Sequence, residues 1–486
     1  MLTRALGRFV ADARWVGKAA CLAIFTGHGL PMSGRTGFHP PMKNLLRWIL
    51  CGGLWLVAGL HADGPRWWKG NLHTHTLWSD GDGFPEMVGL WYREHGYHFL
   101  ALSDHNVLSQ GQRWMNVTNV LARSRGEPWR AGSHRPVDPF RDYLRRFGPD
   151  WVETRRNPTN SETQVRLKPF GEYSAQLEVA GRFLMMPAEE ITHTAANRKA
   201  IHIGAVNLHD WIPTQDGATV PEVLARTLRA VQVSADRNGS PVLVHVNHPN
   251  YKWGVTAEDL AQVVEEPFFE VWNGVDGDND PGDAHHPPTE TLWDVANTLR
   301  LVTFQAPPLF GLATDDSHDF QGTKRRSPPG RAWVMVRASH LTPESLIHAL
   351  QAGDFYASTG VELRDVRFDE KERLLSLRIH ARPGERLVTR FIGTRRGASL
   401  DGRRCIGADG KEIDTTLDYR TGSGPQIGEV LAVAKGSTPS YRLRGDELYV
   451  RAVVTSSRRV TVATTEAEFQ TAWTQPVGWR NLVPAR

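Results

Sequence analysis

Residues 70–106 read GNLHTHTLWSDGDGFPEMVGLWYREHGYHFLALSDHN. The pattern of strands and polar side chains in this stretch recurs along the chain and indicates its fold. His73 and His75 stand two residues apart, so on a β-strand both imidazoles project from the same face. Asp80 follows in a Ser-Asp-Gly turn. Two imidazoles and a carboxylate at this spacing are typical of a metal site.

A second strand ends in the same kind of side chains. Phe99 to Leu102 is an apolar run that leads directly into Asp104 and His105. In α/β proteins, sites are built at the carboxyl ends of parallel strands, so the two strand ends are predicted to share one site. Imidazole and carboxylate ligands suit Zn, Mn or Fe, and the absence of a nearby cysteine argues against a thiolate site.

The same pattern recurs as far as residue 318. Four more apolar strands carry or precede polar clusters, which contain Glu189, Glu190, His202, His248, Asp315, Asp316 and His318. Between them, residues 220–238 and 290–299 show helical spacing. This alternation of strands and helices, with ionisable groups at the strand ends, predicts a TIM-like β/α barrel. A doubly wound open sheet is the alternative, but it would gather ligands at one switch point.

The chain changes character beyond Gly360. Helical spacing gives way to alternating apolar residues and frequent turns, which predict an all-β sandwich domain at 361–486. Residues 63–360 form the predicted metal-binding domain. It contains an insertion at about 107–180, rich in Arg, Trp and Pro, which we expect to be partly helical and to lie over the mouth of the site.

The first 62 residues are interpreted as a leader. Residues 42–47 form a short basic segment, Trp48 to Leu60 is an apolar run of 13 residues, and Ala62 is a small residue at a cleavage point. The run is shorter than the ~20 residues that a transmembrane helix requires. We therefore interpret residues 42–62 as a signal peptide and residues 1–41 as the product of an over-extended start.

Removal of the leader changes the charge of the protein. The leader carries seven basic side chains and one acidic one, so the formal net charge goes from +4 for the whole chain to −2. A slightly negative protein has no general electrostatic reason to bind nucleic acid or anionic membranes. Cys405 is then the one remaining cysteine and cannot form an intrachain disulfide, which is compatible with a bacterial periplasm. We expect an exported protein, periplasmic or secreted, that acts on a small molecule.

The motifs resemble those of the polymerase and histidinol phosphatase (PHP) superfamily of metal-dependent hydrolases. The resemblance covers roughly residues 66–320 and implies a distorted seven-stranded β/α barrel. It assigns nine metal ligands, namely His73, His75, Asp80, His105, Glu190, His202, His248, Asp316 and His318. It implies one metal at His73, His75, Glu190 and Asp316, a second at Glu190, His202 and His248, and a third at Asp80, His105 and His318.

Two of these assignments require a choice between neighbouring carboxylates. Glu190 is preferred to Glu189 because it directly precedes the Ile-Thr of the family's Glu-Ile-Thr pattern. Asp316 is preferred to Asp315 because it completes the Asp-x-His motif. Asp104 is expected to orient an imidazole instead of binding a metal.

The resemblance implies hydrolysis at a site with two to three divalent ions (Zn, Mn or Fe). Water between two such cations becomes a metal-bound hydroxide near neutral pH, because the cations lower its pKa. The expected catalytic residues are Asp80, His105, Glu190 and Asp316. Three cations facing the substrate favour an anionic phosphate ester. Lys199, His209 and Lys252 lie near the motifs in sequence and are expected to be bystanders.

Further segments resemble the exported branch of PHP proteins grouped with carbaryl hydrolase. These segments include Pro-Ala-Glu-Glu-Ile-Thr-His at 187–193, Asn-His-Pro-Asn at 247–250 and Gly-Asp-Phe-Tyr at 353–356. This resemblance covers nearly the whole mature chain, and it implies a hydrolase of carbamates, esters or amides as the alternative to a phosphoesterase. A non-catalytic, metal-containing binding protein is the third hypothesis.

Overall fold

The computed structural model describes residues 64–124, 137–322, 327–407, 409–420, 424–461 and 468–484. The predicted leader at 1–62 lies outside these residues. The described parts form a mixed α/β fold built on one 13-stranded sheet, with two smaller sheets of three strands each. In these parts of the chain, no helix is long and apolar enough to cross a membrane.

The strands and helices follow the chain in this order. Up to residue 314 the strands are β1 (Arg66–Asn71), β2 (Phe99–Leu102), β3 (Arg113–Asn116), β4 (Thr154–Arg156), β5 (Thr163–Leu167), β6 (Leu184–Thr194), β7 (Ala200–Val206), β8 (Leu243–Val246), β9 (Phe268–Asn273) and β10 (Phe310–Thr314). The helices in the same part are α1 (Pro85–Glu94), α2 (Val117–Ser124), α3 (Pro139–Phe147), α4 (Phe170–Leu177), α5 (Val220–Asn238), α6 (Ala257–Gln262) and α7 (Thr289–Val302). The rest contains β11 (Trp333–Ala338), α8 (Pro343–Gln351), β12 (Phe355–Ser358), β13 (Leu363–Asp369), β14 (Leu374–Ile379), β15 (Leu387–Arg395), β16 (Glu429–Lys435), β17 (Ser440–Arg442), β18 (Glu447–Arg459) and β19 (Phe469–Thr474).

Seven strands of the large sheet position the site. Their order is β10-β9-β8-β7-β6-β2-β1. β1, β2 and β6 are parallel, and so are β8, β9 and β10. β7 is antiparallel to both of its neighbours, β6 and β8, and no helix separates it from β6. The predicted alternation of strands and helices is therefore interrupted at β7.

The described residues show no closed hydrogen-bonded barrel, so the predicted closure is not confirmed. β1 pairs with β2 and β11, and β10 pairs with β9. A single parallel bridge, Thr74 to Ser317, joins the segments that follow β1 and β10. The backbone N–H of His75 donates to the carbonyl of Ser317, and that of Asp316 to the carbonyl of His73, both at 2.9 Å. These bonds bring the His-x-His and Asp-x-His motifs side by side.

Helix α5 illustrates how local sequence sets an element. The Thr219 hydroxyl accepts a hydrogen bond from the backbone N–H of Glu222 at 3.4 Å, and Pro221 occupies the first turn. Gly239 ends the helix with φ of 65°, a conformation that glycine adopts readily. The predicted range of 220–238 is confirmed, and the apolar face of the helix packs into the core cluster that also includes residues of β7, β8 and β9.

The predicted insertion contains a small sheet of its own, in the order β3-β5-β4, together with α2, α3 and α4. Tyr143 from α3 stacks on Phe84, with ring centroids 3.9 Å apart, and both belong to one buried cluster. Arg123 from α2 donates to the carbonyls of Ser79 and Gly81, which flank Asp80. The insertion is therefore attached to the turn that carries a predicted metal ligand.

The strands after residue 361 are divided between two sheets. β15, β16, β18 and β19 extend the large sheet through β12, whereas β13, β14 and β17 form a separate antiparallel sheet. One apolar cluster includes Leu375 from the small sheet and Phe391 and Val450 from the large one. The large sheet continues across residue 360, and a separate sandwich domain stays a prediction.

Candidate metal centre

His73 and His75 follow the end of β1, and both imidazoles are fully buried. The Nε2 atoms of the two residues are 3.2 Å apart, and they lie 3.2 and 2.9 Å from Oδ1 of Asp316. In a four-coordinate site with metal–ligand bonds of ~2.0 Å, neighbouring donor atoms are about 3.3 Å apart. The three atoms are therefore spaced like neighbouring corners of a metal coordination shell.

Glu190, in β6, lies at the centre of the cluster and is fully buried. Its carboxylate oxygens lie within 3.5 Å of nitrogens from five imidazoles, those of His73, His75, His105, His202 and His248. Burial alone would raise the pKa of Glu190, but the imidazoles of His105, His73 and His202 hold it well below its ordinary value. The carboxylate is therefore ionised and can face more than one cation.

A more open group of side chains lies beside the buried ones. Nε2 of His318 is 3.3 Å from Oδ1 of Asp80, and Nε2 of His105 is 3.7 Å from Oδ2 of the same residue. The rings of His75 and His318 stack, with centroids 4.0 Å apart. The Asp80 side chain is 57% exposed, whereas that of His75 is completely buried. This part of the cluster is therefore open to solvent.

The structure brings all nine predicted ligands into one continuous cluster. Among these nine residues alone, donor atoms within 4.8 Å of one another define four overlapping groups: His73, His75 and Asp316; His73, Glu190 and His248; His105, Glu190 and His202; and His75, Asp80, His105 and His318. The first and last groups are close to two of the predicted sets. The remaining predicted set, Glu190 with His202 and His248, is divided between two groups that share Glu190. The role of the nine residues as ligands stays a prediction.

Two buried carboxylate oxygens of the cluster face imidazole nitrogens. Oε2 of Glu190 lies 2.6 Å from Nδ1 of His105, which is also 2.6 Å from the hydroxyl of Thr192, and Oδ1 of Asp316 lies 2.9 Å from Nε2 of His75. Buried carboxylates are unfavourable unless they are paired, and a cation held between these oxygens and the imidazole lone pairs would pair them. The donor set of nitrogen and oxygen without sulfur fits Zn, Mn or Fe.

The neighbours of the two chosen carboxylates face away from the cluster. Glu189 accepts a hydrogen bond from the backbone N–H of Ile212 at 3.1 Å, and burial raises its pKa to about 7. Asp315 accepts a hydrogen bond from the hydroxyl of Tyr92 at 2.8 Å, and others from the backbone N–H groups of residues 330–332. This geometry favours the choice of Glu190 and Asp316.

Asp104 holds a turn in place. It accepts hydrogen bonds from the backbone N–H and the hydroxyl of Thr76, at 2.8 and 2.7 Å, and from those of Ser79, at 2.9 and 2.6 Å. Among the described residues, none of its hydrogen-bond partners is an imidazole. The expectation that Asp104 orients an imidazole is therefore wrong, because its carboxylate is occupied by the turn between His75 and Asp80.

Glu270, in β9, is the carboxylate that orients an imidazole, and sequence reasoning missed it. Its Oε1 is 2.8 Å from Nδ1 of His73, and its Oε2 accepts a hydrogen bond from the backbone N–H of His248 at 2.9 Å. Burial would raise the pKa of Glu270, but His73 lowers it to about 2. A proton on Nδ1 of His73 leaves the lone pair of Nε2 facing Glu190 and Asp316. The available signal was one acid inside the apolar run FFEVW.

A cavity of about 310 Å³ opens onto the cluster. It is lined by six predicted ligands and by Tyr251, Val275, Asp278 and Ser327. Asp278 is buried, and burial raises its pKa to about 7. No sequence motif indicated Asp278, because it lies in an irregular acidic loop.

Two of the expected bystanders make contacts away from this cavity, and the third, Lys252, lies against Tyr251, which lines it. Lys199 pairs with Asp414 at 2.8 Å, and His209 lies 3.2 Å from the hydroxyl of Ser240. The Lys252 ammonium lies 4.9 Å from the centroid of the Tyr251 ring. None of the three lines the cavity in the described part of the chain.

Comparisons with known proteins add little to this geometry. No family model and no curated protein matches the chain. A two-domain protein from Bacteroides vulgatus, containing a predicted PHP-like metal-dependent phosphoesterase, matches over 85% of this chain and 96% of its own, with 13% identity and a TM-score of 0.33. A proposed metal-dependent phosphoesterase from Bifidobacterium adolescentis matches over 55% of this chain and 92% of its own, with 14% identity and a TM-score of 0.28. Because both TM-scores are low, function is inferred from the side chains of the site.

Proposed function

We propose that this protein is a metal-dependent hydrolase with a di- or trinuclear site, and that its reaction is the hydrolysis of a phosphate ester. The observation that carries the proposal is the position of Glu190. One buried carboxylate lies within 3.5 Å of five imidazoles, which approach both of its oxygens. This arrangement is typical of a carboxylate that bridges two cations.

The predicted sets define which residues would hold each ion. The most buried ion would be held by His73, His75, Glu190 and Asp316, the next by Glu190, His202 and His248, and the most exposed by Asp80, His105 and His318. Bound divalent ions supply Lewis acidity and lower the pKa of water. Glu270 holds the proton on Nδ1 of His73, and Asp104 holds the turn that places Asp80.

The chemistry of the cavity supports an anionic small molecule as the substrate. Members of all three predicted ion sets border one space, so the ions would create a strong positive field there. Among the described lining residues there is no Lys or Arg, so these ions would be the main partners of the phosphate oxygens. A volume of about 310 Å³ suits a small molecule.

A carbamate, ester or amide hydrolase is the second candidate, and the lining of the cavity favours it. Val275 is apolar and Asp278 is acidic, and neither side chain attracts a phosphate group. A substrate with a neutral carbonyl would avoid repulsion by Asp278. The same ions can polarise a carbonyl oxygen, so the two candidates differ in the substrate and not in the site.

We further propose that seven strands of the large sheet, β1, β2 and β6 to β10, form the distorted PHP barrel. Residues 361–486 would then form the sandwich domain. The bridge between Thr74 and Ser317 supports the first proposal, and the apolar cluster shared by two sheets supports the second. Export after cleavage of residues 42–62 belongs to the same proposal. Amino-terminal sequencing of secreted protein tests it, and a sequence that begins before Met42 would contradict it.

The enzymatic proposal is tested with the full chain loaded with Mn²⁺ or Zn²⁺. A phosphomonoester, a phosphodiester and an aryl methylcarbamate are supplied in parallel, with His105→Ala and Glu190→Ala as controls. We expect turnover of a phosphate ester that both substitutions abolish. Turnover of the carbamate alone would select the second candidate, and stoichiometric metal without turnover of any of the three would count against both.

A further inference from the structure

We propose that Asp278 is a tenth metal ligand, and that it shares with Asp316 the ion that His248 would hold. One donor atom from each of the three residues lies within 4.8 Å of the other two. The three side chains are deeply buried, with no residue more than 5% exposed. The inference rests on the proposed function, because it adds a ligand to the same metal centre.

One carboxylate oxygen of this group lacks a hydrogen-bond partner. Oδ2 of Asp278 is buried and has no partner in the described part of the chain, and Oδ2 of Asp316 lies 3.8 Å from Nε2 of His248. A buried carboxylate oxygen without a donor is unfavourable, and a second buried carboxylate nearby adds repulsion. A divalent cation between them, with the imidazole of His248 as the third ligand, removes both penalties.

The loop that carries Asp278 is fastened to the loop that carries His248. The side-chain amide of Asn250 donates to the carbonyl of Asn279 at 3.0 Å, and that of Asn279 donates to the carbonyl of Asn250 at 3.2 Å. Asn279 directly follows Asp278, and Asn250 comes two residues after His248. This reciprocal pair therefore fixes the carboxylate relative to the imidazole.

The same loop is anchored on its other side. Oδ2 of Asp280 accepts a hydrogen bond from the backbone N–H of Asn273 at 2.6 Å, and its carbonyl accepts one from Thr289 at 2.9 Å. The other two members of the group have strained backbones, with φ of 21° at His248 and 45° at Asp316. Such conformations persist where the surrounding structure enforces them, commonly at ligand sites.

The ligand type indicates which ions this group prefers. One imidazole and two carboxylates form a harder set than His73, His75 and Asp316, which offer two imidazoles and one carboxylate. Oxygen-rich sets favour Mn²⁺ relative to softer ions. Asp278 also lines the cavity, so the ion that it holds lies at the wall that faces the substrate.

The test compares Mn²⁺ binding by the full chain, by Asp278→Asn and by Asp283→Asn. Asp283 is a matched control, because its carboxylate lies in the same loop and bonds to His286 at the exposed edge. Metal-free protein is titrated with Mn²⁺, and free ion is counted by electron paramagnetic resonance. We expect Asp278→Asn to bind one ion fewer, or one of its ions at least about 10-fold less tightly, and Asp283→Asn to match the unaltered chain.

Each outcome is decisive. Unchanged stoichiometry and affinity in Asp278→Asn would overturn the inference and leave the proposed function standing. An unaltered chain that binds no Mn²⁺ and no Zn²⁺ would overturn the proposed function itself. If Asp278→Asn fails to fold, as judged by thermal melting without metal, Asn279→Ala replaces it, because that variant keeps the carboxylate and releases the loop. If Asn279→Ala then binds Mn²⁺ as tightly as the unaltered chain does, the inference is overturned.

Discussion

Nδ1 of His73 and Oε1 of Glu270 are 2.8 Å apart, and both side chains are completely buried. The Thr314 hydroxyl donates to the same oxygen at 2.7 Å, and the side-chain amide of Asn273 donates to Oε2 at 2.8 Å. The carboxylate is thus held at both oxygens, and it holds the imidazole in the tautomer that presents Nε2 to the cluster. Strand β9 therefore determines how a histidine that follows β1 can bind a metal.

Glu270→Gln is expected to weaken metal binding by about 10- to 100-fold without unfolding the protein, because the amide is a poorer partner for Nδ1 of His73. Competition with a chelator of known affinity measures the loss. Glu266→Gln is the control, since Glu266 is a buried carboxyl that bonds to the backbone of Phe268 away from the cluster. Equal affinity in the two variants would contradict the orienting role of Glu270.

Asp80→Asn is expected to remove the most weakly bound ion and to leave the others in place. The reason is exposure, because the Asp80 side chain is 57% exposed whereas Glu190 is fully buried. Metal content after dialysis, measured by plasma mass spectrometry, shows how many ions remain. Loss of every ion would mean that the open group is not separate from the buried ones.

Asp315→Asn is expected to lower the free energy of unfolding by about 1–3 kcal/mol, because it leaves buried donors without an acceptor. The donors are the Tyr92 hydroxyl and the backbone N–H groups of residues 330–332. Asp316→Asn, measured on metal-free protein, is expected to cost less, since its neighbours among the described residues are the imidazoles of His73 and His75 and the side-chain amide of Asn273, not a set of backbone N–H groups. Urea unfolding of both variants tests the contrast, and the reverse order would show that Asp316 is the structural residue.

Glu189 provides a prediction for the pH dependence of stability. Burial raises its pKa from 4.5 to about 7, so the native protein keeps a proton that the unfolded chain loses above pH 4.5. The free energy of unfolding therefore falls as pH rises from 4.5 to 7, by up to about 1.4 kcal/mol per pH unit from this group. Glu189→Gln should reduce this slope in urea unfolding of metal-free protein. An unchanged pH dependence of the free energy of unfolding in this variant would contradict the raised pKa of Glu189.

The strand ends of the site could be predicted because apolar runs of strand length end in polar clusters. The direction of β7 could not, since the length and composition of a buried strand do not specify whether it runs parallel to its neighbours. Closure of the barrel could not be predicted from the sequence either. It depends on how segments more than 200 residues apart approach each other, and in the structure one bridge from Thr74 to Ser317 makes that contact.

The side chains that support the ligands were hidden for a related reason. Glu270 is one acid in an apolar strand, and its role depends on meeting His73, which is 197 residues away. Asp278 lies in a loop without periodic pattern, and its position depends on the pair of amide bonds between Asn250 and Asn279. Local spacing identifies a motif, but it does not show which distant loop packs against that motif.

The metal content of the purified full chain tests the central claim most directly. Plasma mass spectrometry should find two to three divalent ions per chain, with the same number in Glu189→Gln and at least two fewer in Glu190→Gln, because two of the overlapping ligand groups include Glu190. A chain that binds no divalent ion, or that keeps all of its ions in Glu190→Gln, would contradict the assignment of a shared metal centre to this cluster.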